Sequence, residues 1–331
     1  MTKVIFITVA DDIHGHGHLQ RTNRIASSIC SLYEVFIICN ESTPAIKLEN
    51  KMITALSFDL NNPENLFGDL LLNDEDILWF DLPDKLNYIV AKFADLKQKI
   101  VTMNMFDNRN ETNFQDVFIC PSFNKTRIEK DNINDVVYLT GVDFLIVPEN
   151  FFLKDYDKKV PGSVLITMGG ADPKGITKRL INGLKNLKRN DLTFKIILPV
   201  SLKKEEYSLP NQLKKNTKLF NFGAIDFSNE IKKTEYAIIS GGMTRYECIA
   251  AKTYFIAISI HDVQYKINEH ATKYGLGFNL GVNDELETST IINYIEAMPL
   301  NPKLPDLSKI NLNLKENAAA RVFNTVMEMI N

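Results

Sequence analysis

The chain has 331 residues, 45% hydrophobic and 24% charged, a globular mixture long enough for two domains of ordinary size. Its net charge of −3 provides no strong basic field to hold nucleic acid. No apolar run approaches the roughly 18 residues of a membrane span, so none is expected.

The chain opens with an apolar run that looks like the h-region of a signal peptide only superficially. It passes straight into Asp11-Asp12 and a His/Gly loop, with no small-residue cleavage site. It reads as the first core strand, Val4–Val9. Further short strands are expected at Val35–Cys39, Ile77–Phe80, Ile100–Asn104 and Val117–Cys120. After a break they resume at Ser163–Thr167, Phe194–Leu198, Lys218–Phe222, Ala237–Ile239 and Phe255–Ile258. Continuous Val/Ile/Phe runs without polar alternation suit parallel strands covered on both faces. Helical patterns between them imply βαβ units. The division falls near Val147–Gly162, where Pro148, Pro161 and Gly162 flank a charged stretch and the pattern restarts. The expected architecture is therefore α/β: two Rossmann-like, doubly wound parallel-sheet domains, 1–150 and 151–331, facing a cleft. A helix over Leu314–Ile330 should close the second. Cys30, Cys39, Cys120 and Cys248 form no CxxC pair and sit in apolar stretches, which suggests buried thiols and a cytoplasmic enzyme.

In open parallel sheets, ligands bind beyond the carboxyl ends of the strands, so three glycine-rich turns matter. The first, Asp11–Arg21, carries His14, His16 and His18 at alternate positions. Alternate loop positions rarely converge on a metal, so no metal site is expected. Gly15 and Gly17 permit a tight turn that leaves His18 at the start of a helix, where it can serve as a general base or only cap the helix. Arg21, one turn on, can meet a carboxylate or phosphate, or form an interdomain salt bridge.

The second turn, Met168-Gly169-Gly170-Ala-Asp172-Pro173, opens the backbone at Gly169 and Gly170 toward the cleft, with Asp172 as N-cap and Pro173 at the first helical position. It is neither a dinucleotide fingerprint nor a P-loop, which disfavours NAD and ATP. No cofactor is expected.

The third turn, Ser240-Gly241-Gly242-Met243-Thr244, follows a strand and opens a helix with Thr244 placed to cap it. Free N–H groups there favour a phosphate, and Glu247 lies within reach of a sugar's hydroxyl pair. The same turn can also be a tight corner and nothing more. Ahead of it, Leu219–Asp226 ends a strand whose backbone could read a base edge, with Phe222 against the base or in the core.

The ordered set Gly15-x-Gly-His-x-x-Arg21, Met168-Gly-Gly-Ala-Asp-Pro173 and Ser240-Gly-Gly-Met-Thr-x-x-Glu247 resembles the UDP-sugar hydrolases of the pseudaminic acid pathway and the related spore-coat polysaccharide proteins. That group is similar in fold to GT-B glycosyltransferases. The likeness extends to Gly141–Phe152 and Ala318–Val322. It implies that His18 activates a water for attack at the anomeric carbon with inversion, and that Asp81 borders the sugar. It implies that Gly241, Gly242, Met243 and Thr244 hold the diphosphate, Glu247 the ribose, and the backbone of Phe222, Ala224 and Ile225 the uracil. Gly17, Arg21, Gly169, Gly170 and Gln264 join the substrate-binding set. The chain departs from the family at Leu82-Pro83, at Phe106-Asp107 and at Val263, all on the sugar or acceptor side. The partner implied is a UDP-sugar, and the alternative is an inverting transferase with a glycan acceptor.

Overall fold

In the computed structural model, described here for residues 2–11, 13–40, 50–68, 70–105, 114–152, 154, 158–207, 209, 211–310 and 317–330, the apolar runs become parallel strands. The chain divides into two compact units, one of Met1–Ile146 with Ile310–Asn331 and one of Val147–Lys309.

The first unit contains β1 (Lys3–Thr8), α1 (Gly17–Ile29), β2 (Glu34–Asn40), β3 (Ile53–Phe58), β4 (Ile77–Asp81), α2 (Asn87–Ala91), β5 (Lys99–Met103), β6 (Val117–Pro121), β7 (Arg127–Lys130) and β8 (Val137–Gly141). Its eight-stranded sheet has the order β3-β2-β1-β4-β5-β6-β8-β7, parallel except for the antiparallel β7–β8 pair. The second unit contains β9 (Val160–Thr167), α3 (Ile176–Gly183), β10 (Thr193–Ile197), α4 (Asn211–Lys214), β11 (Thr217–Phe220), α5 (Phe227–Lys233), β12 (Thr234–Ile239), α6 (Thr244–Ala250), β13 (Tyr254–Ser259), α7 (Asp262–Lys273), β14 (Gly277–Val282) and α8 (Thr288–Ala297). Its six-stranded sheet runs β11-β10-β9-β12-β13-β14, parallel throughout. Two parallel α/β sheets are the expected fold class.

One expectation fails. The last helix, α9 (Ala318–Ile330), belongs to the first unit rather than the second. Its apolar stripe Val322, Phe323 and Val326 is buried in the core beneath β1 and β4. There Phe323 stacks on Trp79, with ring centroids 6.1 Å apart, and Trp79 meets Phe6 at 5.6 Å. An amphipathic helix settles wherever its apolar stripe finds a complementary surface, and sequence adjacency does not decide that. All four cysteines are buried thiols. No described helix is long and apolar enough to cross a membrane.

Each sheet reverses its strand order beside its own first strand. In the first unit, β1 lies between β2 and β4; in the second, β9 lies between β10 and β12. At such a reversal the connections leave in opposite directions and open a crevice at the carboxyl ends of the strands.

Candidate active site

In the first unit the reversal brings the end of β1 against the end of β4, with Thr8 level with Asp81. The loop after β1 is held by Asp11, which accepts the N–H groups of Ile13 (2.8 Å) and His14 (2.7 Å) and pairs with the His14 ring. Asn40 also donates to it (2.8 Å) from the end of β2. The three histidines do not converge: His14 turns to Asp11 and His18 to Asp81. Among the described residues, no His, Cys, Asp and Glu side chains gather as a metal site.

His18 lies in the first turn of α1, and its Nδ1 is 2.6 Å from Asp81 Oδ1. Arg21, one turn along the same helix face, donates from Nε to Asp81 Oδ2 (2.7 Å) and from Nη2 to Oδ1 (2.5 Å). The i, i+3 spacing puts both side chains above the one carboxylate. Asp81 is fully buried. Burial alone would push its carboxyl up, but the Arg21 guanidinium and then His18 outweigh it and hold it below the usual carboxylate range. An ionised carboxylate only accepts, so the His18 nitrogen that faces it, Nδ1, is the donor of this bond. The His18 side chain retains 17% exposure.

Arg21 is 2% exposed and commits two donor groups to Asp81 and a third to Met105 Sδ (2.7 Å): of the expected alternatives, it meets a carboxylate, and that carboxylate belongs to its own unit. Asp81, the other residue expected at the site, is buried between His18 and Arg21. Gly17 is the first residue of α1. Leu82 is buried, and with Phe80, Thr102 and Asn104 it lines a small recess at the carboxyl ends of β4 and β5. Asn104 donates to Asp84. Phe106 and Asp107 lie outside the described residues.

In the second unit the reversal sets two glycine turns side by side. Thr167 is level with Ile239, and just beyond them Ser240 Oγ donates to the Met168 carbonyl (3.3 Å). Gly169 is open, with φ +81° and no atom within 4 Å of an added Cβ. Gly170, expected to be open, is buried, and its carbonyl accepts Val200 N–H (2.8 Å). Asp172 is not the N-cap: α3 starts at Ile176, not Pro173, and its N-cap is Gly175, although the Asp172 side chain reaches the first turn from four residues upstream. Its carboxylate accepts the N–H groups of Ile176 (2.9 Å) and Thr177 (2.8 Å), from a backbone at φ +46°.

At the other turn Gly241 takes φ +88° and Gly242 is open. Thr244 does not cap α6: the N-cap is Met243, with no side-chain cap bond, and Thr244 is the first helical residue. Glu247 follows in the first turn and is 5% exposed. Phe222 lies beyond the end of β11 and is exposed, not core. The Ala224 N–H closes a turn on the Asn221 carbonyl (3.0 Å) and is not free for a base edge, while Ile225 follows, half-buried. Gln264 Oε1 accepts the Ile260 N–H (2.9 Å), pinning the start of α7.

No protein-family model matches the chain. It is similar in fold, over its whole length, to solved GT-B glycosyltransferases. These include a glycotransferase of kitacinnamycin (TM-score 0.64, 10% identity, 99% of that chain covered) and spinosyn rhamnosyltransferase SpnG (0.61, 12%, 96%). A further one, LpCGTa, was solved with UDP (0.58, 12%, 95%). In sequence it is similar to the spore coat polysaccharide biosynthesis protein SpsG of Bacillus subtilis, 22% identical over 84% of this chain and 83% of that protein. An uncharacterized protein of Methanocaldococcus jannaschii is 26% identical over 75% of this chain and 53% of its own length. The resemblance read from the motifs is thereby supported: an SpsG-like chain with the GT-B fold.

Proposed function

We propose that the chain is a nucleotide-sugar enzyme of polysaccharide biosynthesis, and specifically a hydrolase of glycan biosynthesis of the nonulosonic-acid type that releases UDP and a free amino-deoxy sugar from a UDP-sugar. The observation that carries this reading is the His18–Asp81–Arg21 array at the strand-order reversal of the first sheet. Arg21 keeps Asp81 ionised, Asp81 keeps the His18 proton on Nδ1, and Nε2 takes a proton from water as it attacks the anomeric carbon. A single displacement inverts that carbon. Asp81 then stabilises the imidazolium without itself being protonated. Such a base contributes about 10²–10⁴ in rate. In the second unit, the Gly241–Thr244 turn binds the diphosphate and so favours its departure, with Glu247 at the ribose and the segment from Phe222 to Ile225 at the base.

A second reading is an inverting glycosyltransferase, in which a sugar hydroxyl of a glycan replaces water. The fold neighbours favour it, since they are transferases. The same base and diphosphate turn serve both reactions. The test is product analysis by mass spectrometry of the purified protein with a panel of UDP-sugars and no acceptor. Free sugar and UDP, lost in His18→Ala, is the expected result. Intact UDP-sugar that is consumed only after a glycan is added would assign the transferase.

A further inference from the structure

Among the described residues two arginines are buried completely, and one of the two is paired with an acid. Arg21 lies against Asp81. Arg245, in the first turn of α6, is 2% exposed, and among the described residues no carboxylate pairs with it. Its Nη1 donates to the Gly241 carbonyl and to Asn268 Oδ1 (3.2 Å). Its Nη2 donates to Tyr246 Oη (3.2 Å), and the guanidinium carbon stands 4.6 Å from the centre of the Tyr246 ring. Nε is buried with no hydrogen-bond partner. A cation removed from water without a counter-ion is strongly disfavoured unless something else answers its charge.

The surroundings say where an answering anion would come from. Asn268 also donates to Ser259 Oγ (2.9 Å), which donates to Asn279 Oδ1 (3.1 Å), and Asn279 Nδ2 donates to Glu269 Oε1 (3.2 Å), so the arginine touches only neutral groups and three of them, Asn268, Ser259 and Asn279, stand in line between it and the Glu269 carboxylate. Gly241 is packed on that network: a Cβ there would stand 2.1 Å from Asn268 Nδ2. Gly242, the next residue, is open, with nothing within 4 Å of an added Cβ. The turn thus has one wall set on the buried guanidinium and one wall free. Seven-residue α6 is too short for its terminus alone to define an anion site; the charge beneath the turn is the independent feature.

We propose that Arg245 is a buried counter-charge for an anion bound on the open wall of the Ser240–Met243 turn, and, resting on the nucleotide-sugar reading above, that this anion is the nucleotide's diphosphate. Arg245 does not touch the ligand. It draws the Gly241 carbonyl inward, which keeps that negative end away from the phosphates. Its charge acts through a low-dielectric interior, where it is poorly screened. Affinity should therefore scale with ligand charge, from uridine to UMP to UDP.

Isothermal titration of the full chain with uridine, UMP, UDP and inorganic pyrophosphate tests this. The wild type should bind UDP far more tightly than uridine. Arg245→Met should weaken UDP and pyrophosphate about tenfold or more and leave uridine within about twofold. Asn268→Asp keeps the side-chain shape and puts a carboxylate beside the guanidinium, so it should weaken UDP in the same selective way while remaining folded, even where Arg245→Met does not fold. Equal losses for uridine and UDP, or no loss in Asn268→Asp, would make Arg245 a structural residue and overturn the proposal. A wild type that holds neither UDP nor pyrophosphate also overturns it. The two readings separate cleanly. Arg245-dependent pyrophosphate binding without turnover of any UDP-sugar would sink the hydrolase and keep the counter-charge. Turnover with unchanged affinities in the variants would do the reverse.

Discussion

The two sheets reverse their strand order in the same way, β4 beside β1 in one and β12 beside β9 in the other, yet they carry different chemistry there. The first reversal holds a titratable array, a histidine on a buried carboxylate on a buried guanidinium. The second presents backbone: two glycine turns tied by the bond from Ser240 to the Met168 carbonyl. On the proposed reading, one fold element repeated twice serves once for proton transfer and once for close approach to a ligand. The difference shows that the crevice belongs to the topology and the activity belongs to the side chains placed in it.

Substitutions can pull the two apart. The largest effect is expected from Asp81→Asn. It leaves Arg21 buried without its counter-charge, which should cost about 3–5 kcal/mol of stability in urea unfolding, and it frees the His18 ring to take the unproductive tautomer. UDP affinity, which the proposal assigns to the second unit, should persist in the folded fraction. The same carboxylate makes stability pH-dependent. Its pKa is lower folded than unfolded, so its contribution is present above the unfolded value and lost as pH falls through the folded one. Thermal midpoints should therefore fall below about pH 4, and Asp81→Asn should flatten that drop.

Gly241→Ala comes next. Its Cβ would strike Asn268 at 2.1 Å, at φ +88°, so it should lower stability by about 1–3 kcal/mol and weaken UDP without changing the His18 array. Full-strength UDP binding by this variant would break the assignment of ligand to that turn. Asp172→Ala removes two side-chain bonds from the first turn of α3 and should cost about 0.5–2 kcal/mol. Thr244→Ala removes no cap bond and should change the unfolding free energy by less than about 0.5 kcal/mol.

Much of this was legible in the residues, for physical reasons that also mark the limit. Fully buried parallel strands announce themselves as unbroken apolar runs, and all ten expected strands exist within a few residues. The four unforeseen strands lack that signature or sit among other signals. The edge strand Ile53–Phe58 is half exposed, and Arg127–Lys130 is charged and exposed. Gly277–Val282 carries two glycines, and Val137–Gly141 runs straight into the segment read as the end of the domain. His18 stood out because it follows a glycine turn after the first strand. Its dependence on Asp81 and Arg21 did not, because 60 residues separate those two, and only the β1–β4 neighbourhood brings them together. Arg245 looked like any charged residue near a helix start; what sets it apart is burial without an acid, a property only the packing reveals.

The return of α9 to the first unit has a consequence for biosynthesis. Val147–Lys309 is one unbroken stretch, and all of it leaves the ribosome before Ala318–Ile330 does. Domains fold as units during synthesis, so the second unit is able to finish while the unit bearing His18 still waits for Phe323 to cover Trp79. A stalled or truncated chain would release a finished C-terminal half attached to an N-terminal half with an uncovered aromatic core. Such a product would be sticky and fit for clearance by chaperones and proteases.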